Sequence, residues 1–213
     1  MEKKLHYTLI ADGSSDKTLL GIIKWVLDDL YPTLPNDGKF ADFRNMKKPP
    51  KIGDVAAQIS TAQMYYPCDI VIYHRDGERR DKDIVVQRKS EILQQSQKEK
   101  SIIVCIVPVV VMETWLLIDE VAIKKAAGNP NYSGKITLPP PKSLEAESDP
   151  KQLLHSLLRE ASGLKGRNRD RFNASRAVHL VAEYIQDFSP LRKLEAFQTF
   201  ETDLKEAVKI FMA

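Results

Sequence analysis

Residues 69–78 read DIVIYHRDGE, a run of β-forming side chains that ends on His74, Arg75, Asp76 and Glu78. A short apolar run bounded in this way fits a strand buried on both faces. Similar runs occur at 5–11 and 102–107, with amphipathic stretches between them. Leu19, Leu20, Ile22, Ile23, Val26, Leu27 and Leu30 recur at helical spacing over 16–30, and Ile52, Val55, Ala56, Ile59 and Ala62 do so over 52–66. Ile84, Val85, Ile92 and Leu93 mark the inner side of a third helix over 83–98. Strands alternating with helices predict an α/β domain whose mostly parallel sheet is flanked by helices on both faces. The polar stretch from Pro32 to Pro50 has no clear path, and a short strand is expected near 40–43.

Beyond Asp119 the pattern changes. Pro-rich, Gly-rich and Ser-rich connectors, AAGNPNYSG and TLPPPKSLEAESDP, lead into helices only. Asp149 and Pro150 have the order of a helix cap followed by a first-turn proline. Leu153, Leu154, Leu157, Leu158 and Ala161 form the buried stripe of that helix, and two more are expected over 175–185 and 197–211. The chain therefore divides into an α/β domain over 1–127 and a helical C-terminal extension, 128–213, packed on it.

At 213 residues and 43% hydrophobic content the chain can bury a large core. Its 32 basic and 29 acidic residues leave a formal charge of +3, too balanced to require a polyanionic partner. The apolar runs are too short and broken for a signal peptide or a membrane span, and Cys68 and Cys105 lack metal-ligand spacing. A reducing cytoplasm and no membrane partner are expected. Walker, zinc-finger, Rossmann and nucleophile-elbow patterns are missing, which argues against ATP hydrolysis by this chain.

Asp12, then Asp76 with Glu78, then Glu113 follow three expected strands. In a parallel sheet such positions share one edge, where several carboxylates can bind Mg²⁺ or Mn²⁺ and orient a phosphate. Read singly, each has an ordinary role: Asp12 and Asp76 as turn formers, Glu113 as a first-turn helix acid. Glu113, however, lies in the apolar stretch VVVMETWLLID, where an unpaired carboxylate is costly. His74 suits either metal ligation or a structural hydrogen bond, and Arg75 suits a phosphate or an acidic neighbour. Asp16 and Asp119 fit helix capping. Basic residues gather in KGRNRDRFNASR, 165–176, as Lys165, Arg167, Arg169, Arg171 and Arg176, and again in RNMKKPPK, 44–51. Either group can contact a phosphate backbone or simply be solvated.

The segments ADGSSDKTLL, VIYHRDGE and VPVVVMETWLLIDEVAI together resemble those of the bacterial Toprim-like proteins of unknown function. These form a branch of the Toprim superfamily, which includes nucleases of the overcoming-lysogenization-defect type, topoisomerases and primases. The likeness covers roughly the first 125 residues. It implies a glutamate after the first strand acting as general acid or base, and an Asp-x-Asp pair after a later strand holding the metal. Asp12 stands at the glutamate position with a shorter side chain. The pair corresponds either to His74-Arg75-Asp76, with one carboxylate lost, or to Asp76-Gly77-Glu78, which keeps both and is favoured. Glu113 resembles a further acidic position of Toprim-like defence nucleases. The resemblance thus implies a Mg²⁺- or Mn²⁺-dependent nuclease of a bacterial defence or genome-maintenance module, acting beside an ATPase partner. The alternative is a non-catalytic subunit that binds the ATPase or nucleic acid. Primase-like transfer would need a template-binding module that the short chain lacks.

Overall fold

The computed structural model describes residues 3–81 and 83–213. Strand β1, Leu5–Ile10, runs through a 3₁₀ turn at Ser14–Thr18 into helix α1, Leu19–Leu30. Strand β2, Asn36–Phe40, follows, then helix α2, Val55–Tyr65, strand β3, Ile70–His74, helix α3, Ile84–Gln95, and strand β4, Ile102–Ile106. All pairings are parallel, in the order β2-β1-β3-β4. The α/β class, the parallel sheet between helices and the helical C-terminal part agree with the sequence reading.

Right-handed crossovers with this strand order send α1 to one face of the sheet and α2 with α3 to the other. The buried side chains follow that division. Leu5, Tyr7, Leu9, Ile70, Ile72, Val104 and Ile106 pack with Ile22, Ile23 and Val26 of α1. The alternate positions Ile10, Val71, Tyr73 and Cys105 pack with Val55, Ile59 and Ala62 of α2 and Ile92 of α3. Leu93, expected on the inner side of α3, is exposed instead, because the helix rests on the sheet through a narrower stripe.

Strand β2 lies at the edge and earlier in the chain than expected, at Asn36–Phe40 rather than near 40–43. Its sequence, NDGKF, is poor in β-formers. Gly38 pairs with Tyr7 of β1, and a Cβ there would fall 2.3 Å from the Tyr7 ring. A glycine at this position is what lets the aromatic ring lie across the edge strand.

The C-terminal part joins the α1 face. After a 3₁₀ turn at Met112–Leu116 come helix α4, Glu120–Ala126, helix α5, Pro150–Ala161, the short helix α6, Gly166–Asp170, helix α7, Ala174–Tyr184, and helix α8, Glu195–Met212. Asp119, Asp149 and Asn173 cap α4, α5 and α7 by accepting hydrogen bonds from first-turn N–H groups. Phe197 and Phe200 of α8 pack on fully buried Trp115, with ring centroids 5.2 and 6.1 Å away, so the last helix is seated on the segment that follows β4. The buried apolar side chains on the α1 face of the sheet and those of α4, α5, α7 and α8 form one continuous cluster. None of the described helices is long and apolar enough to cross a membrane.

Because the core is continuous, Phe200→Ala should lower the stability of the whole chain by roughly 3–5 kcal/mol. Chemical denaturation followed by far-UV and tryptophan signals should still show one coincident transition; separate transitions would mean that the helical part unfolds independently.

Candidate functional site

Strand β1 leads to a helix on one face of the sheet and β3 to a helix on the other, so the connections part between their carboxyl ends. Open parallel sheets place their ligand crevices at this kind of switch point. Here the crevice is a cleft of about 600 Å³ lined by Asp12, Asp16, His74, Arg75, Asp76, Glu78, Glu113 and Lys151, with Ile52 and Gly53 from the segment before α2. The four predicted acidic residues therefore share one cleft, but they meet it differently.

Asp12 is exposed at the mouth. Asp76 reaches across to the segment after β4, where its Oδ1 accepts the Met112 N–H at 2.9 Å and so ties two loops together. Glu113, only 5% exposed in the 112–116 turn, meets Lys151 of α5 at 3.3 Å. Its buried charge is thus matched by a cation from the helical extension. Glu78 turns outward: it is 68% exposed and pairs with Arg88 at 2.9 Å. Arg75, also on the cleft, lies 3.3 Å from Glu91.

Backbone conformation explains the outward turn of Glu78. The segment after β3 continues to pair with the one after β4, through N–H bonds from Arg75 to Ile106, Gly77 to Pro108 and Glu78 to Val110. Glu78 at φ 62° and Val110 at φ 66° both occupy the left-handed region, which is uncommon for side chains other than glycine and a true outlier for a β-branched one. Gly77 is required just before Glu78, since a Cβ there would sit 2.9 Å from the Pro108 oxygen. The spacing of Asp76 and Glu78 in sequence gives no sign that the turn separates them.

Two residues stand deep in the cleft: His74, whose role the sequence reading leaves open, and Asp16, which it reads as a capping residue. His74, the last residue of β3, is 2% exposed, and its Nε2 lies 3.5 Å from Asp76 Oδ1 and 3.9 Å from Asp16 Oδ2. Asp16 is held in place by the Gly13 N–H at 3.0 Å and the Ser15 hydroxyl at 3.2 Å. Burial pushes the Asp76 carboxyl up to about 6, with Asp16 and Glu113 adding to the rise, while His74 in its charged form and the Met112 N–H oppose it. Acidic side chains outnumber Arg75 and Lys151 along the cleft, so it attracts cations.

Among the described residues, no three histidine, cysteine, aspartate or glutamate side chains already stand in an arrangement that holds a metal ion. The donors are nevertheless of the right kind, carboxylates and an imidazole, and the elevated Asp76 carboxyl records the repulsion and burial that a cation would relieve. Binding an ion there requires at least one of these side chains to move.

The basic segment is exposed at Lys165, Arg167, Arg169, Arg171 and Arg176, with helix α6 inside it, and none of these residues lines the cleft. Helix α5 connects the two places. Lys151 stands in its first turn at the cleft, and the basic segment begins beyond its last turn, about 18 Å away along the helix axis. Compared with known proteins, the chain matches no family model, no curated protein and no solved structure.

The Asp76 carboxyl titrates above its unfolded value, so the folded state holds the proton more tightly and this group weakens folding as pH rises from about 4 to 6. In metal-free buffer Asp76→Asn should therefore stabilise the chain at pH 7.5, by roughly 1 kcal/mol once the partial exposure of the group is allowed for. The gain should vanish near pH 4. Thermal melts at both pH values check the sign, and a variant less stable at pH 7.5 would mean that the tie to Met112 outweighs the buried charge.

Proposed function

We propose that the chain is a divalent-metal-dependent phosphodiesterase acting on nucleic acid, a nuclease of the Toprim-like kind that its sequence resembles. The observation that carries this reading is the meeting of Asp12, Asp76 and Glu113, each from beyond a different parallel strand, in one cleft at the β1/β3 switch point. A cleft so rich in carboxylates repels a phosphodiester unless a cation is bound with it. The ion, Mg²⁺ or Mn²⁺, would be held around Asp76, with Asp12 and Glu113 available from the same cleft and Glu78 turned away to Arg88. Its chemistry there is neutralisation and polarisation of the scissile phosphate towards attack by water.

The remaining parts belong to the chain itself. Arg75 and Lys151 line the cleft and can take non-bridging phosphate oxygens, Lys151 by turning from Glu113. Asp12, exposed at the mouth, would accept a proton from the attacking water. The basic segment at 165–176 suits the flanking backbone, beyond the far end of α5. A genome-maintenance or defence role beside an ATPase partner follows from the resemblance alone.

A second reading, a non-catalytic subunit that binds nucleic acid or an ATPase, draws on the ion pairs that engage Glu78 and Glu113. The two readings part on cleavage. With Mg²⁺ or Mn²⁺ the wild type should cut DNA or RNA, and Asp76→Asn should lower the rate at least about a hundredfold while the protein remains folded. Asp12→Asn should slow turnover and keep metal binding. An inactive wild type, tested on both nucleic acids with both ions and an ATPase partner, would leave the binding subunit as the reading.

Binding has its own test. If the 165–176 segment follows a phosphate backbone, replacing Arg167 and Arg169 by Ala should weaken binding equally for all sequences and lower the salt slope by about 2. An unchanged slope would make the segment a solvated loop.

A further inference from the structure

The most informative side chain in the cleft is His74. Its Nδ1 faces the Ile106 carbonyl oxygen at 3.1 Å. A carbonyl only accepts, so Nδ1 carries the proton, and a neutral imidazole then presents its lone pair at Nε2. That nitrogen faces the cleft between the carboxylates of Asp76 and Asp16, and the buried ring is fixed by its backbone partner. Metal-ligating histidines are held by the same kind of second hydrogen bond. Two ligand atoms at about 2.1 Å from one ion lie no more than about 4.2 Å apart, and both separations from Nε2, 3.5 and 3.9 Å, fall within that limit, although among the described residues the three side chains do not already form a metal-holding arrangement and one carboxylate must move to complete it. Glu78 is instead drawn outward to Arg88 by its left-handed backbone.

We propose that His74 Nε2, not Glu78, is the partner of Asp76 in holding the ion, with Asp16 as the third ligand, and that the site selects a divalent transition ion over Mg²⁺. This rests on the reading of the cleft as a metal centre. The selectivity follows from ligand chemistry: Mg²⁺ takes oxygen ligands and dehydrates reluctantly, whereas an imidazole nitrogen suits first-row transition ions. The competing role for His74 is that of an imidazolium neutralising its two acidic neighbours, with no ion present.

Calorimetric titration of the full chain with Mn²⁺ and with Mg²⁺, combined with pulsed electron paramagnetic resonance of the Mn²⁺ complex, separates these roles. The wild type should prefer Mn²⁺ by at least about tenfold and show ¹⁴N coupling from a bound imidazole. His74→Asp should abolish that coupling and bring the two ions towards equal affinity. Asp16→Asn should weaken Mn²⁺ binding at least about tenfold, and Glu78→Gln should leave it unchanged. Missing ¹⁴N coupling in the wild type, coupling retained in His74→Asp, or loss of binding in Glu78→Gln would each overturn the assignment. The wild-type spectrum and the Glu78→Gln titration decide the matter even if His74→Asp does not fold. Binding lost in Asp76→Asn but untouched in His74→Asp would remove only the His74 assignment, and no binding of either ion by the wild type would remove the metal centre altogether.

Discussion

A parallel sheet admits water to neither face, and in this chain that constraint organises everything else. The central strands β1 and β3 must be apolar on both sides, so their charged residues can appear only where the strands end. Helices have to cover both faces, and the first crossover runs opposite to the next two, which opens the sheet between β1 and β3. Charge expelled from the strands thus collects at the one place where the covering layers part. The cleft is a consequence of burying the sheet, and its acidic character follows from which residues the strands discharge there.

The same constraint explains what was legible beforehand. The runs in β1, β3 and β4 and the stripes of α1, α5 and α8 are dictated by burial, and their spacing reveals both the elements and the α/β class. Strand β2 was displaced in the reading because an edge strand needs little apolar side chain, and Gly38 serves its neighbour Tyr7 more than itself. The division of labour inside DIVIYHRDGE was less visible. Asp76 and Glu78 have the alternation of a pair on one face, yet the left-handed backbone at 78 turns its side chain away, and no propensity of glutamate announces it. Asp16 reads as a capping residue in sequence and does hold a turn, but only the fold brings it to His74.

Helix α5 gives the C-terminal extension a share in the site. Its Asp149 cap and Pro150 fix where the helix starts, and that start fixes where Lys151 stands against Glu113. A one-residue change in the helix start would rotate Lys151 by about 100° around the axis and leave a buried carboxylate without its cation. The two ends of one helix therefore serve two places, the cleft and the approach to the exposed basic segment.

The pairing of Glu113 with Lys151 also bears on the order in which the molecule is made. A ribosome delivers the whole sheet before it delivers residue 151, and domains generally fold from the N-terminus as they emerge. Until α5 arrives, the carboxylate of Glu113 lacks its Lys151 partner, and Trp115 awaits Phe197 and Phe200 from the last helix. The nascent sheet can form its backbone ladder early, while the buried carboxylate of Glu113 meets its cation only once Lys151 has been synthesised. Completion of the site is in this way tied to synthesis of the helical part.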